Sequence, residues 1–312
     1  MNQIITNKEL TNFPEYIFPA RNNPELYNYC VQEGQQICNN ASIFFCGIAR
    51  DIGPYLERNI LRIHRTGDMF KNYGVFIYEN NSTDDTVDIL QRYKSDIFNF
   101  YSETTSGDDY KRRTDDMYGS FRCEILAKCR NQYLKYLRSI SEVYDYICVL
   151  DLDLLGGWSY DGISHAIFTM ESDQSYGCVS SYGVLSEHTN SRNIDSEADE
   201  PNIMYDSLAF RPIGWKMGAL HVLHTPVFNR VEAQRGNPPI EVQSNFGGMA
   251  IYKYKALIDK EYGSAELEDG HIDPDHVVIN WQIFQAGWKI ILDPSMIVSY
   301  SHHKYSRRTM NS

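Results

Sequence analysis

Tyr146-Ile147-Cys148-Val149-Leu150-Asp151-Leu152-Asp153 is the stretch from which the rest of the chain can be read. A short apolar run bounded by acidic residues has the length and character of a strand buried inside a parallel sheet. Asp151 and Asp153 follow at its end. At positions i and i+2 they leave the strand on one face, ~6–7 Å apart. Two carboxylates that close repel each other unless a cation lies between them. A divalent ion with hard oxygen ligands would fill that place and bridge to a diphosphate. The plainer alternative is a strand end with solvated acids.

The segments before this run alternate. Ser42 to Ala49 reads as a buried strand and Gly74 to Tyr78 as a second, with a third expected over Asp96 to Tyr101. Between them, Leu56, Ile60, Leu61 and His64 give Pro54 to Arg65 helical spacing. Asp84 to Tyr93 reads as a helix with Val87, Leu90 and Tyr93 on its apolar face. Phe121, Ile125, Cys129, Tyr133 and Leu137 recur every four residues, which predicts a long amphipathic helix. Strand and helix in this order imply an α/β fold with a mainly parallel sheet. Such sheets bind ligands beyond the carboxyl ends of their strands, so the loops after Ala49, Tyr78 and Leu150 are where chemistry is expected.

The flanks are less regular. Residues 1–40 are rich in Asn, Gln and Pro and read as an N-terminal extension with one helix near Pro24 to Cys38. Residues 103–118 and Ser186 to Pro201 read as polar loops. A strand is expected over Ser244 to Tyr254, with Gly247 and Gly248 inside it. A helix is expected over Asp275 to Ala286, and short strands over Ile290 to Leu292 and Met296 to Tyr300.

Composition narrows the classes. With 312 residues and 42% of them apolar, the chain can bury a full core. Acidic residues number 41 against 29 basic ones, a net charge of −12, so no basic footprint for nucleic acid dominates. No run approaches the ~18–20 apolar residues that span a bilayer. Met1 to Thr11 is polar and lacks a signal-peptide hydrophobic region, so neither secretion nor a membrane anchor is expected. The seven cysteines form no C-x-x-C pair and read as reduced thiols of a cytoplasm-like compartment.

Two further motifs accompany the paired aspartates. Glu79-Asn80-Asn81-Ser82-Thr83-Asp84-Asp85-Thr86 carries a strand into a helix. Ser82 can cap that helix and Asp84 and Asp85 suit its first turn, but capping does not explain Glu79. Ala127-Lys128-Cys129-Arg130-Asn131 lies on the long helix. An arginine there can reach a phosphate or a base, although by itself a solvated helix face is the plainer reading.

In this order and spacing the three motifs resemble the nucleotide-sugar-dependent glycosyltransferases of the GT-A fold. A narrower likeness is to the chlorovirus capsid-glycan rhamnosyltransferase domain and to fungal capsule-associated mannosyltransferases, carried by the phrasing from Ile77 to Thr86 and from Val149 to Asp153. The resemblance covers Ser42 to Gly183 well. It implies a single GT-A domain over 41–312, with a nucleotide-donor half (41–183) and an acceptor half (184–312). Ala49, Arg50, Asp51, Glu79 and Asn81 would meet the donor nucleoside, and Arg130 would help hold the nucleotide. Asp151 and Asp153 would hold Mn²⁺ or Mg²⁺ on the diphosphate, where it would stabilise the departing nucleoside diphosphate. Gly247 and Gly248 would let the sugar approach the backbone. Asp275, followed by His276 and with Asp273 behind it, would be the base that deprotonates an acceptor hydroxyl if the transfer inverts, retention staying open, although Asp273-Pro274-Asp275 also reads as an ordinary helix start. His302 or His303 would join the metal. An acceptor or sugar-hydroxyl role for Asp206 has no support from spacing alone.

The activity so implied is transfer of a hexosyl or deoxyhexosyl group from a nucleoside-diphosphate donor, a UDP-sugar above others, to a glycan or glycolipid hydroxyl. The expected setting is cytoplasmic or peripheral to a membrane. One rival is a haloacid-dehalogenase-like phosphatase, whose nucleophile strand Val149 to Asp153 resembles, but Leu155 stands where that family wants Thr or Val. A pyrophosphorylase would want a basic glycine-rich loop, which Cys46 to Arg50 matches poorly. A carbohydrate- or nucleotide-sugar-binding protein without catalysis is the third.

Overall fold

The computed structural model describes residues 11–105, 120–185, 203–217, 231–266 and 272–300. The helices of four or more residues are Pro24–Cys38 (α1), Gly53–Gly67 (α2), Thr86–Tyr93 (α3), Ser120–Ser139 (α4), Tyr160–Ser172 (α5), Tyr254–Leu257 (α6) and Asp275–Gln285 (α7). The strands are Ser42–Ala49 (β1), Asn72–Asn80 (β2), Phe98–Glu103 (β3), Tyr146–Leu150 (β4), Gly157–Trp158 (β5), Tyr176–Leu185 (β6), Ile203–Met204 (β7), Ile240–Val242 (β8), Met249–Lys253 (β9), Ala265–Glu266 (β10), Ile272–Asp273 (β11) and Lys289–Ser299 (β12).

Side chains alternate across the central sheet, as a period of two requires. Phe44, Cys46, Phe76, Tyr78, Ile147 and Val149 enter one apolar layer, filled from α4 by Tyr133, Leu134 and Leu137 and from α7 by Ile279 and Ile283. Ile43, Phe45, Val75, Ile77, Cys148 and Leu150 enter the other, covered by α2, α3 and α5. A fully buried leucine or isoleucine contributes about 1.5–3 kcal/mol, so two such layers stabilise the sheet from both faces.

The sheet runs β3-β2-β1-β4-β9-β6-β12-β5, with β7 on β6 and β8 on β12. Strands β1 to β4 pair in parallel, as do β6 and β12. Strand β9 lies antiparallel between β4 and β6. This is the α/β fold that the alternation implies: a mainly parallel sheet with helices on both faces. Register brings the ends of the first strands level, with Ala49 beside Glu79 and Glu79 beside Ser102.

Two expectations are corrected. Gly247 and Gly248 do not lie inside a strand: their φ values of 65° and 90° are left-handed, which ends extension, and β9 starts only at Met249. Ile290 to Tyr300 is not two strands. One strand runs through it, with a register shift between Asp293 and Ile297, where Pro294 lacks an N–H and Asp293 accepts the Ser295 N–H at 2.8 Å. Helix α5 and strand β6 fall where no element was expected.

The described part of the N-terminal region, residues 11–40, packs into this body. Phe13 and Phe18 join the first apolar layer. The Glu15 carboxylate accepts the Tyr160 N–H at 3.0 Å and pairs with Arg235 at 2.7 Å, which seats the segment on the start of α5. Helix α1 crosses α5 so closely that a Cβ on Gly34 would stand 1.9 Å from the Ser164 carbonyl oxygen. In an open helix Gly→Ala stabilises by about 1 kcal/mol. Here the sign reverses: Gly34→Ala should destabilise the fold by about 1–3 kcal/mol, read from the denaturant midpoint.

Candidate functional site

The loops leaving β1 and β2 are bound to each other by side chains. Asp51, left-handed at φ 50°, accepts the Thr83 N–H at 2.7 Å, and its own N–H donates to Ser82 Oγ at 3.0 Å. Gly53 N–H donates to Asp84 at 2.9 Å, and Ser82 N–H to Glu79 Oε1 at 2.7 Å. The other Glu79 oxygen accepts the Ser102 hydroxyl. Glu79 is thus buried and spent on its own turn and on β3. Asn81, at φ 57°, exchanges hydrogen bonds with Thr105. Ala49 is buried and Arg50 half-buried beside them. Ser82 does not cap α3, whose first turn is instead tied by Asp84 to the Thr86 N–H at 3.0 Å.

At the end of β4 the site turns electrostatic. Arg130, from α4, is only 5% exposed. Its Nε stands 2.6 Å from Asp275 Oδ2, an ion pair that closes off the hydrogen-bond axis, and its Nη2 stands 3.4 Å from Asp151 Oδ1. Burial raises the Asp151 carboxyl to about 7 against the pull of Arg130, and the neighbouring Asp153 raises it further. Burial raises Asp153 too. Arg130 therefore links Asp151, at the end of β4, with Asp275 at the start of α7, residues far apart in the chain.

The turn before β9 reaches the same place. Asp151 N–H donates to the Gly248 carbonyl at 2.9 Å. A Cβ on Gly247 would stand 2.3 Å from the Ser181 carbonyl oxygen, so only glycine fits. The Gly247 N–H donates to the carboxylate of Asp206, which is raised to about 8, first by burial and then by Asp151 and Asp275. Asp206 is left-handed at φ 59°. Among the described residues four non-glycines have left-handed φ, and three of them, Asp51, Asn81 and Asp206, stand at this site; the fourth, Asn23, caps α1. Backbone strain of this kind collects at functional positions.

The remaining expected residues fall apart. Asp273 is fully buried on Arg211 at 2.6 Å, and a group with no exposure meets no substrate in this conformation. His276 is stacked on Phe246 at 3.6 Å, and burial lowers its pKa well below the usual value, which keeps the ring neutral. His302 and His303 lie outside the described residues, and among those described no group of three or more His, Cys, Asp or Glu could hold a metal ion. Asp151 and Asp153 offer hard oxygen donors taken out of water, which suits a small divalent ion completed by phosphate and water oxygens. All seven cysteines are buried and none is in a disulfide. Among the described residues no helix is long and apolar enough to cross a membrane.

No protein-family model and no curated protein matches the chain. Among solved structures it is similar to a mannosyltransferase from Pyrobaculum calidifontis in complex with GDP-Man and Mn²⁺ (14% identity, 90% of this chain, 65% of that one, TM-score 0.46). It is similar also to residues 1–349 of S. aureus TarS in complex with UDP-GlcNAc (10% identity, 85% and 60%, TM-score 0.44). A third is GalNAc-T7 with UDP, GalNAc and Mn²⁺ (10% identity, 85% and 44%, TM-score 0.41). The chain spans less than two thirds of the length of each of these three.

The raised carboxyls make stability depend on pH. His276, neutral when folded, is half-protonated in the unfolded chain at about pH 6.5 and loses that proton on the way to pH 8, which opposes the carboxyls only by a few tenths of a kcal/mol. Asp151 at about 7 and Asp206 at about 8 still bind protons in the folded state that the unfolded chain has lost. Stability of this kind is lost as pH rises through the folded pKa values. The metal-free protein should melt at a lower temperature at pH 8 than at pH 6.5, and Asp206→Asn should flatten that slope in calorimetry.

Proposed function

We propose that this chain is a metal-dependent glycosyltransferase of the GT-A type. It transfers a sugar from a nucleoside diphosphate, a UDP-sugar above others, to a hydroxyl of a glycan or glycolipid. The observation that carries the reading is the meeting of Asp151, Asp153, Arg130 and Asp275 at the carboxyl end of β4. Seven cysteines without a disulfide suit a reducing, cytoplasm-like setting.

Asp151 and Asp153 would hold Mn²⁺ or Mg²⁺, and when bound the ion would supply Lewis-acid stabilisation of the leaving diphosphate. Arg130 adds a fixed positive charge in a site shielded from water, where it counts most against charge that develops on the leaving group. Ala49, Arg50, Asp51, Glu79 and Asn81 shape the nucleoside side. Asp51, Glu79 and Asn81 do so by holding the two loops rigid, because their polar atoms are already engaged. Gly247 and Gly248 give backbone access to the sugar. Transfer breaks the bond from the anomeric carbon to the diphosphate oxygen and forms one to the acceptor oxygen, whose proton must leave. Asp275 is the candidate base, which is the inverting arrangement. Its ion pair with Arg130 means that the two residues act as a unit.

Release of nucleoside diphosphate from a panel of UDP-, GDP- and dTDP-sugars is the direct test. One donor should turn over with Mn²⁺, and EDTA or Asp153→Asn should reduce the rate by about 10²-fold or more. The panel also separates hexosyl from deoxyhexosyl transfer. No turnover and no nucleotide-induced rise in melting temperature would remove the reading in favour of a phosphatase or a binding protein. Asp275→Asn should abolish transfer to an acceptor while slow donor hydrolysis persists; loss of both would make Asp275 the anchor of Arg130 instead of the base.

A further inference from the structure

Tyr205 and Tyr300 stack face to face, with ring centroids 4.5 Å apart and planes 14° apart. Both are half-buried. Tyr205 N–H donates to the Gly183 carbonyl at 2.9 Å and Tyr300 N–H to the Val184 carbonyl at 3.1 Å, while the Tyr300 carbonyl accepts the Leu155 N–H at 3.2 Å. The pair is thereby pinned to the end of β6 and to the segment just beyond Asp153. Both phenols are raised above their usual pKa, first by burial and then by the Asp151 and Asp153 carboxylates, which places the rings in the field of the site.

The glycines around the pair are closely packed. A Cβ on Gly248 would stand 3.2 Å from Val298 and 3.5 Å from the Tyr205 ring, and one on Gly183 would stand 2.5 Å from the Gly247 carbonyl oxygen. Asp206, next to Tyr205, is fixed in a left-handed conformation and receives the Gly247 N–H. It forms no ion pair among the described residues. Arg130 provides an independent sign of a ligand: its Nη1 has no hydrogen-bond partner although the residue is 95% buried. A buried guanidinium N–H left unpaired is costly, and a ligand oxygen would satisfy it.

We propose that Tyr205, Asp206 and Tyr300 form the subsite for the sugar ring of the donor. The tyrosine pair offers an apolar face to the C–H face of the ring, and Asp206 accepts hydrogen bonds from its hydroxyls. The Asp206 carboxyl, raised to about 8 in the empty site, both donates and accepts when protonated and only accepts when ionised, so either form can meet ring hydroxyls. This inference rests on the glycosyltransferase reading and names the residues that choose its sugar.

Calorimetric titration separates the two. Nucleoside diphosphates and the matching UDP-, GDP- and dTDP-sugars are titrated with Mn²⁺ present. If the wild-type protein binds neither kind of ligand, the glycosyltransferase reading itself falls. If it binds, Asp206→Ala and Tyr300→Ala should weaken the sugar nucleotide by about tenfold, the worth of one or two hydrogen bonds. The bare diphosphate should stay within about twofold, and Tyr300→Phe should keep the affinity of both. Equal weakening of both ligands, or of neither, overturns the subsite. Asp206→Ala removes the carboxyl and its hydrogen bonds at a small change in volume, so it decides the matter if Tyr300→Ala fails to fold.

Discussion

The guanidinium of Arg130 is the constraint on which the site is built. Taking an ion of that size out of water costs several kcal/mol, and the cost is offset only if partners meet it in good geometry. Two carboxylates do so, one at the end of β4 and one at the start of α7. Phe246 and Tyr262 rings lie 5.4 and 6.0 Å from it and exclude water. Buried ion pairs are weak evidence for stability, since a packed apolar residue would serve as well. An arginine kept here fits a role in holding charge at a defined place. Asp275 has neighbours to match: α7 has no side-chain cap, and its first-turn acid is directed to Arg130.

One turn addresses Asp151 again and a further carboxylate, Asp206. Asn245 is held by the Ser181 carbonyl at 2.9 Å, and Ser181 Oγ donates to the Gly247 carbonyl at 2.8 Å. The two glycines that follow present an N–H to Asp206 and a carbonyl to the Asp151 N–H. Glycine is required twice, by left-handed φ and by the approach of Ser181 and Gly183. The site is therefore positioned from the sheet, with β6, β9 and β4 as neighbours, and not by free loops.

Strands β1 and β4 and helix α1 were legible to the residue because apolar runs and helical spacing were uninterrupted there. Helix α5 was missed although Ile163, Ala166, Ile167 and Met170 recur at helical spacing. Strand β6 was not legible: Gly177, Ser180, Ser181 and Gly183 have low strand propensity, and they are tolerated because neighbours on both sides need small residues. Taken alone Arg130 reads as part of a solvated helix face, and only the resemblance gives it a nucleotide role, yet Arg130, Tyr133, Leu134 and Leu137 follow the i, i+3, i+4, i+7 spacing of a buried face. That pattern was available. The tyrosine pair and Asp206 were not, because only the sheet topology brings residues 205 and 300 together.

The carboxylates at the centre are held where ionising them is expensive. Asp151, Asp153 and Asp206 all lie above their ordinary pKa, with burial as the first cause in each. A fold selected for stability alone would solvate these groups or replace them. The two apolar layers on either face of the sheet leave enough margin to keep them buried. On the proposed function, a cation and hydroxyl donors would satisfy these carboxylates, so that binding and ionisation would be coupled through the same three residues.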